Sequence, residues 1–302
     1  MTSTLDWYGC ATFRLRTAGL TVFLDAYIDR APNAEGSGLT AEDIDDCDWI
    51  VIGHSHFDHL WGAERIMART RARLIGSYET VRLLEQAGVP LDRMLCVAGG
   101  ERIDLGAGVV VSVYPSLHSC LWTGTHAVGA GEVCLGDLGV TWQEQAVRMK
   151  ELVARLTTSL DVVAIEHLLA AAPGHSDRGD GGAFIYLFET PEGSVLFQDT
   201  SGRWGGILGR LTPDVAILAA AGRANVDGDP MQGSLAGFVV DEAKMLGARR
   251  VVPCHHDNWL PGFSSPPDLG PIRRAFEERA PDIELLGTGY LAATPIFAGL
   301  RA

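Results

Sequence analysis

The amino-acid sequence predicts an α/β protein, and three observations support that fold class. Short apolar segments alternate with stretches of helical periodicity in both halves of the chain. Several of the candidate strands end at a loop that carries a His or an Asp. The 302 residues are 47% hydrophobic and 21% charged, which suffices for a large buried core. We therefore expect a single α/β domain over residues 1–302, with reactive side chains gathered where strands end.

The amino-terminal third predicts a hairpin, a buried strand and two helices. Ala18-Gly19 lies between two alternating segments and is a plausible hairpin turn. A short apolar, β-branched segment that ends at Gly53 is typical of a buried strand. The ranges are 12–16 and 20–24 for the hairpin, 49–52 for the buried strand, and 62–69 and 78–87 for the helices.

The second half predicts further strands that run into His, Asp or Pro-Cys-His sequences. One strand leads to His118, a second delivers Asp199 after a turn at 191–193, and the last opens onto His255. A helix precedes the last strand. The ranges are 109–114, 183–189, 194–198, 215–218 and 250–252 for strands, and 235–246 for the helix.

Residues 119–182 interrupt this alternation and predict an inserted helical and loop segment near the site. The segment begins with a Gly-rich loop and continues with an amphipathic helix. It also contributes His126, His167 and His175, of which His167 is interpreted as a buried, hydrogen-bonded residue. Gly-rich ends favour an interpretation as a lid. The apolar face of the helix comprises Trp142, Ala146, Met149, Leu152, Val153 and Leu156.

The net charge of −14 disfavours polyanionic partners, because nucleic-acid affinity rests mainly on Lys and Arg neutralising phosphates. No nucleic acid is therefore expected as a partner, and no apolar segment approaches the roughly 20 residues that span a bilayer. Nothing at the start resembles a targeting signal, so we expect a cytoplasmic protein. The six cysteines are scattered, which is typical of reduced thiols. Cys10 and Cys254 lie near the His-rich segments, and packing is preferred to metal ligation for both.

Residues 54–59 carry the strongest functional signal in the chain. His54, His56, Asp58 and His59 lie within six residues, on what the sequence predicts to be a loop. Alternate side chains at 54 and 56 can face one point, while 58 and 59 turn towards a neighbouring one. Imidazole and carboxylate are ligands that suit zinc and other first-row divalent ions. The segment therefore predicts a metal site.

This segment resembles the H-x-H-x-D-H motif of the metallo-β-lactamase superfamily, which follows a buried strand. The later elements stand in that family's order, with His118 after a strand, Asp199 at the end of a strand and His255 near the end. A nearer resemblance is to the branch containing ascorbate-6-phosphate lactonase and N-acyl-phosphatidylethanolamine phospholipase D. It rests on residues 9–13 and on 252–259. Cys10 stands where that branch tends to have His, and Ala26 where it tends to have Pro.

The resemblance implies an αββα sandwich of two mixed sheets flanked by helices, and two divalent ions, with zinc favoured and manganese the alternative. It places a first ion on three histidines, a second on Asp58, His59 and His255, and Asp199 between them. Asp58 and Asp199 would be the catalytic carboxylates. Of the adjacent His255 and His256, we choose His255. The implied metal ligands are His54, His56, Asp58, His59, His118, Asp199 and His255.

The function implied is hydrolysis of a small lactone or carboxylic ester by a hydroxide shared between the ions. A small phosphodiester, from a phospholipid headgroup or a nucleotide, is the alternative substrate. An iron-dependent redox enzyme and a non-catalytic metal sensor are further alternatives, and the oligomeric state is left open, a homo-oligomer included. Arginine suits a phosphate or carboxylate on the substrate. The candidate substrate-binding residues are His175, Arg203, Arg223 and Trp259.

Overall fold

The computed structural model describes residues 2–120, 133–134, 139–172, 179–229, 231–264 and 268–300, with 133–134 and 231–232 described by their backbone alone. The strands in these ranges are β1 Thr4–Gly9, β2 Thr12–Thr17, β3 Leu20–Leu24, β4 Trp49–Val51, β5 Arg73–Gly76, β6 Met94–Cys96, β7 Arg102–Gly106, β8 Val109–Pro115, β9 Val133–Cys134, β10 Phe184–Thr190, β11 Gly193–Gln198, β12 Gly202–Arg203, β13 Val215–Ala219, β14 Asn225–Val226, β15 Met231–Gln232, β16 Arg250–Cys254, β17 Glu284–Leu285 and β18 Thr294–Pro295. The helices are α1 Phe57–Leu60, α2 Ala63–Arg69, α3 Tyr78–Gln86, α4 Trp142–Ser159, α5 Val162–Ala171, α6 Gly205–Leu208, α7 Leu235–Leu246 and α8 Gly270–Arg279, with 3-10 helices at Ala41–Asp43 and Leu91–Arg93.

Two seven-stranded mixed sheets lie at the centre of the molecule. The first has the order β18-β1-β2-β3-β4-β5-β6, antiparallel from β1 to β3 and parallel from β3 to β6. The second has the order β17-β16-β13-β11-β10-β8-β7, parallel from β17 to β11 and antiparallel from β11 to β7. Each sheet therefore contributes parallel strands whose carboxyl ends open onto loops, where ligand-binding residues commonly lie.

The core forms four layers, because both faces of each sheet are apolar. Val195 and Phe197 of β11 face the other sheet, whereas Leu196 between them faces the layer of α7 and α8. This alternation follows from the two-residue repeat of a strand. On the outer side of the first sheet, Ile66 of α2 and Leu84 of α3 pack in the cluster that contains the β4 and β5 side chains. The order of layers is helix, sheet, sheet, helix, which confirms the predicted α/β class.

The elements predicted from periodicity are confirmed, with shifts of one or two residues at their ends. β2 pairs with β3 in an antiparallel hairpin, and Thr17 lies opposite Leu20. The turn residues Ala18 and Gly19 both have positive φ, 50° and 86°, as the tight turns of two-residue hairpins require. The helix expected at 62–69 is confirmed as α2, and a shorter helix, α1, precedes it.

The His-rich segment 54–59 is not entirely a loop, and this part of the prediction was wrong. His56 has extended backbone angles, φ −67° and ψ 153°, and precedes the single turn of α1. An α-helix rotates by about 100° per residue, so Asp58 and His59 leave the direction shared by His54 and His56. The helical turn thus provides the divergence that the sequence predicted for a loop.

The described part of the predicted insertion consists mainly of α4 and α5. His167 of α5 is buried, and its Nε2 lies 2.7 Å from the Tyr27 hydroxyl oxygen, which confirms the buried, hydrogen-bonded interpretation. The apolar face of α4 is less covered than expected: none of the helix is buried, and Trp142 is 58% exposed. Leu156, near its end, packs beside Leu160. That the segment acts as a lid stays a prediction.

Among the described residues, no helix combines the length and the apolar character that a membrane crossing requires.

Candidate metal centre

The candidate centre begins where β4 of the first sheet and β11 of the second sheet end close to each other. His54 follows β4 by way of Gly53, and Asp199 follows β11 directly. His54 Nδ1 lies 2.6 Å from Asp199 Oδ2, and both side chains are fully buried. A Cβ atom at position 53 would lie 2.1 Å from Asp199 Oδ2. Only glycine therefore permits the two strand ends to approach this closely.

The first group of candidate ligands consists of His54, His56 and His118. His54 Nε2 lies 3.0 Å from His56 Nδ1, and the ring centroid of His118 lies 4.7 Å from that of His54 and 4.8 Å from that of His56. His118 Nδ1 donates to the Ser119 carbonyl at 2.8 Å. That bond fixes the tautomer in which Nε2 keeps a free lone pair.

The second group consists of Asp58, His59, His255 and, in addition, Cys10. Asp58 Oδ2 lies 3.5 Å from His59 Nε2 and 3.4 Å from His255 Nε2. The Cys10 sulfur lies 3.4 Å from the same His255 nitrogen. One ligand atom from each of the four residues falls within 4.8 Å of the others.

Asp199 lies between the two groups. Its Oδ2 contacts His54 Nδ1 and lies 3.3 Å from His59 Nδ1. Its Oδ1 is buried and has no hydrogen-bond partner among the described residues. A buried carboxylate oxygen without a partner costs free energy of about 1–3 kcal/mol or more, which a cation would remove.

Burial sets the protonation states of the cluster. Burial and the neighbouring His118 imidazole lower the pKa of His56 to about 4. Burial and the His59 imidazole also hold the pKa of His54 well below its usual value. These imidazoles are therefore neutral at pH 7, with lone pairs available to a metal ion. Burial acts to raise the pKa of Asp58, but the adjacent His59 and His255 imidazoles outweigh it and hold that pKa below its usual range.

The residues fit divalent metal ions by two criteria. The donors are imidazole nitrogens and carboxylate oxygens, and within each group they lie within 4.8 Å of one another. Burial and the nearby Asp25 carboxylate raise the pKa of Asp199 well above its usual value. A divalent ion would offset that effect by stabilising the carboxylate, and the unpaired Oδ1 offers it a donor atom. How many ions bind, and of which element, stays a prediction.

The structure separates the two adjacent histidines. His255 faces Asp58, whereas the His256 ring stacks on Trp7 with centroids 4.6 Å apart. Trp259 is buried, and its ring lies 5.4 Å from that of His255, so it borders the cluster.

The other predicted substrate residues lie elsewhere or are not described. Arg203 is buried over the Phe238 ring and faces Glu242 at 3.8 Å, a placement that does not support a substrate clamp. Arg223 is half-buried, and its backbone carbonyl accepts from the Cys120 N–H, so its loop runs beside His118. His175 lies outside the described residues.

Two supporting carboxylates were not assigned roles from the sequence. Asp25, which follows β3, has its Oδ2 2.6 Å from His59 Nδ1 and accepts at Oδ1 from the Gly53 N–H at 2.9 Å. Asp257 accepts from the Cys10 N–H at 2.9 Å. A signal was present for Asp25, because it ends a strand as the other site residues do.

Replacing Asp25 with Asn is expected to weaken zinc binding by about 10- to 100-fold, because it removes the carboxyl group that contacts His59 Nδ1 at 2.6 Å and orients its ring. Zinc affinity measured by competition with a chelator checks this result. Asp45→Asn, at an exposed position, is the control. Equal zinc affinities for the two variants would contradict a positioning role for Asp25.

The chain is similar in sequence to known metal-dependent hydrolases. Residues 15–141 match the family model of the metallo-beta-lactamase superfamily. Over 117 residues the chain is 32% identical to a UPF0173 metal-dependent hydrolase of Pyrobaculum arsenaticum, an alignment that covers 38% of this chain and 50% of that protein. The chain spans about half the length of such curated relatives.

Solved structures extend the likeness to nearly the whole chain. Igni18, a metallo hydrolase from the archaeon Ignicoccus hospitalis, has a TM-score of 0.58 and 16% identity, with 97% of each chain covered. An isothiocyanate hydrolase from Delia radicum gut bacteria has a TM-score of 0.57 and 14% identity, covering 96% of this chain and 99% of the other. These likenesses confirm the αββα fold and, with the family match, the superfamily resemblance. The nearer branch stays a prediction.

Proposed function

We propose that this chain, which contains a metallo-β-lactamase superfamily domain, is a metal-dependent hydrolase that opens a small lactone or carboxylic ester. The observation that carries the proposal is the convergence of two donor groups, with the carboxylate of Asp199 between them. Every donor of the two groups is buried or half-buried, and the first group contains His54 and His56, whose imidazoles are neutral at pH 7.

In this proposal two divalent ions, zinc or manganese, occupy the centre. His54, His56 and His118 hold one, Asp58, His59 and His255 hold the other, and Asp199 lies between. Such ions supply a hydroxide nucleophile near neutral pH and stabilise negative charge that develops on the substrate oxygens.

The role of Asp58 follows from its charge state. The His59 and His255 imidazoles keep the pKa of Asp58 below its usual range, so the carboxylate is ionised throughout the neutral range. A carboxylate of low pKa is a poor proton acceptor but a good hydrogen-bond acceptor. We therefore assign Asp58 to orienting the attacking water by hydrogen bonding, with proton removal a minor part of its role.

The wall beside the second group supports an uncharged substrate. Trp259 packs against Phe57 and Tyr27, with ring centroids 6.0 Å apart in both pairs. This aromatic wall meets the donor groups at His255. Apolar walls with a few polar groups suit the carbon chain of an ester or a lactone ring. The net charge of −14 also favours such a substrate over a polyanion.

A small phosphodiester is the second candidate, because its hydrolysis also develops negative charge on oxygens between two ions. The loop of Arg223 favours it, since that loop runs beside His118 and carries a guanidinium group. An iron-dependent redox enzyme and a metal sensor without catalysis remain the alternatives from other classes.

Turnover by metal-loaded protein on lactones, simple esters and phosphodiesters tests the proposal. Lactone or ester turnover that His56→Ala abolishes is the expected result, because His56 belongs to the first donor group. Turnover of phosphodiesters alone would replace the lactone or ester by a phosphodiester as the proposed substrate. The proposed metal centre would stand. No turnover by zinc- or manganese-loaded protein, together with a visible absorbance from bound iron, would favour redox chemistry instead.

A further inference from the structure

Cys10 lies in the second donor group as an apparent fourth member. The residue is fully buried, and its sulfur shares a space within 4.8 Å with ligand atoms of Asp58, His59 and His255. The sequence favoured a packing role, since buried cysteine usually behaves as a small apolar residue. Two of its neighbours are instead a carboxylate and an imidazole that face the same point.

The separations match those between donor atoms that share one ion. Bonds of about 2.0–2.2 Å to nitrogen or oxygen and about 2.3 Å to sulfur place neighbouring donor atoms about 3.0–3.6 Å apart, whether or not further positions on the ion are filled. The sulfur of Cys10 lies 3.4 Å from His255 Nε2. Asp58 Oδ2 lies 3.4 Å from that nitrogen and 3.5 Å from His59 Nε2. The three measured separations therefore suit a shared ion.

The backbone of Cys10 is fixed from the carboxyl-terminal part of the chain. Its N–H donates to Asp257 at 2.9 Å, and its carbonyl accepts from the His255 N–H at 2.7 Å. The same carbonyl accepts from Trp7 Nε1 at 3.0 Å. Cys10 and His255 are thus joined directly, so the positions of the sulfur and of the imidazole are set together.

We propose that Cys10 is a thiolate ligand of the ion held by Asp58, His59 and His255. The thiol proton passes to solvent as the sulfur–metal bond forms, and no electron transfer is involved. The proposal rests on the metal centre of the proposed function and is independent of its substrate.

A metal ion that coordinates a thiol deprotonates it outright, so the buried Cys10 sulfur would bind as the thiolate.

A thiolate at this position would determine which metal the chain prefers. Sulfur ligands favour zinc over manganese, which prefers carboxylate, carbonyl and water oxygens. We expect the wild-type protein to select zinc from an equimolar zinc and manganese mixture, and Cys10→Ser to lose part of that selectivity.

The sulfur–metal bond is tested by spectroscopy on the full chain loaded with zinc alone or cobalt alone. X-ray absorption of the zinc protein should show a sulfur shell at about 2.3 Å beside the nitrogen and oxygen shell. The cobalt protein should show a near-ultraviolet sulfur-to-cobalt charge-transfer band. Cys10→Ser should lose both signals completely. Cys254→Ser should keep them, since Cys254 is equally buried but lies outside the donor groups found among the described residues.

The wild-type measurement decides the matter even where a variant fails to fold. Zinc held without a sulfur shell would overturn the role of Cys10 and leave the proposed hydrolase standing. A sulfur shell in a protein without hydrolytic turnover would support the role of Cys10 and overturn the proposed hydrolase function. Wild-type protein that retains no zinc or cobalt would overturn both, and signals that persist in Cys10→Ser would assign the thiolate to another cysteine.

Discussion

Replacing Asp199 with Ala is expected to lower turnover by at least about 100-fold and to release at least one metal ion. The side chain is fully buried and contacts His54 Nδ1 at 2.6 Å, with His59 Nδ1 at 3.3 Å. Its removal deprives His54 of its hydrogen-bond partner and removes the only ligand expected to serve both ions. A buried N–H without a partner costs about 1–3 kcal/mol, so the orientation of His54 is also weakened.

Metal content after gel filtration and turnover on the best substrate of the panel measure these effects. Asp199→Asn keeps the shape and one acceptor oxygen, so it separates the loss of negative charge from the loss of the side chain. Asp92→Ala, at an exposed position, is the control. Unchanged metal content and turnover in Asp199→Ala would end the assignment of two ions to this centre.

The convergence of the His-rich segment 54–59 could be predicted because its signal is local. His54, His56, Asp58 and His59 lie so close in sequence that any compact conformation brings their side chains to one region. The hairpin was equally accessible, since Ala18-Gly19 lies between two alternating segments and adopts the positive φ values of a tight turn. In both cases residues that are close in sequence determine the local structure.

The contacts of the supporting residues could not be predicted, because their partners lie far away in the sequence. Cys10 and Asp257 are 247 positions apart, and Asp25 and His59 are 34 apart. Cys10, Asp25 and His255 also adopt left-handed backbone angles, with φ of 50°, 56° and 60°. Non-glycine residues seldom adopt such angles, and their sequence gives no sign of them. The packing of the two sheets brings Cys10 to Asp257, and the parallel pairing of β3 with β4 brings Asp25 to His59.

Arg203 shows how strand pairing changes the interpretation of a charged residue. A guanidinium group four positions after Asp199 favoured a substrate clamp. In the structure β12 pairs with β14 in parallel, with Arg203 opposite Val226. The side chain is buried beside Glu242, and Gln198 Nε2 donates to that Glu at 3.0 Å. This buried group of charges, which lies next to Asp199 in sequence, suggests that Arg203 supports the fold around the centre.

Replacing Arg203 with Met is expected to lower the free energy of unfolding by about 1–2 kcal/mol at pH 8, because the buried Glu242 loses its charged partner and must take up a proton about one pH unit above its folded pKa of about 7. Urea denaturation of the variant and of the wild-type protein measures the difference. Adding Glu242→Gln should recover most of the loss, because the double variant contains neither buried charge. A double variant as unstable as Arg203→Met would attribute the loss to the packing of Arg203 over Phe238 instead.

The dependence of this loss on pH follows from the charge on Glu242. Burial raises the pKa of Glu242 from 4.5 to about 7, although Arg203 partly opposes the rise. A carboxyl group whose pKa is higher in the folded state than in the unfolded state destabilises the protein. This destabilisation grows as pH rises from the unfolded-state pKa to the folded-state pKa. Without Arg203 the pKa of Glu242 in the folded state rises further. The destabilisation by Glu242 therefore increases and extends to higher pH. At pH 5 Glu242 is largely protonated in the folded state of both proteins, and the cost of Arg203→Met should be clearly smaller there than at pH 8. Equal costs at the two pH values would show that the ion pair does not stabilise the fold.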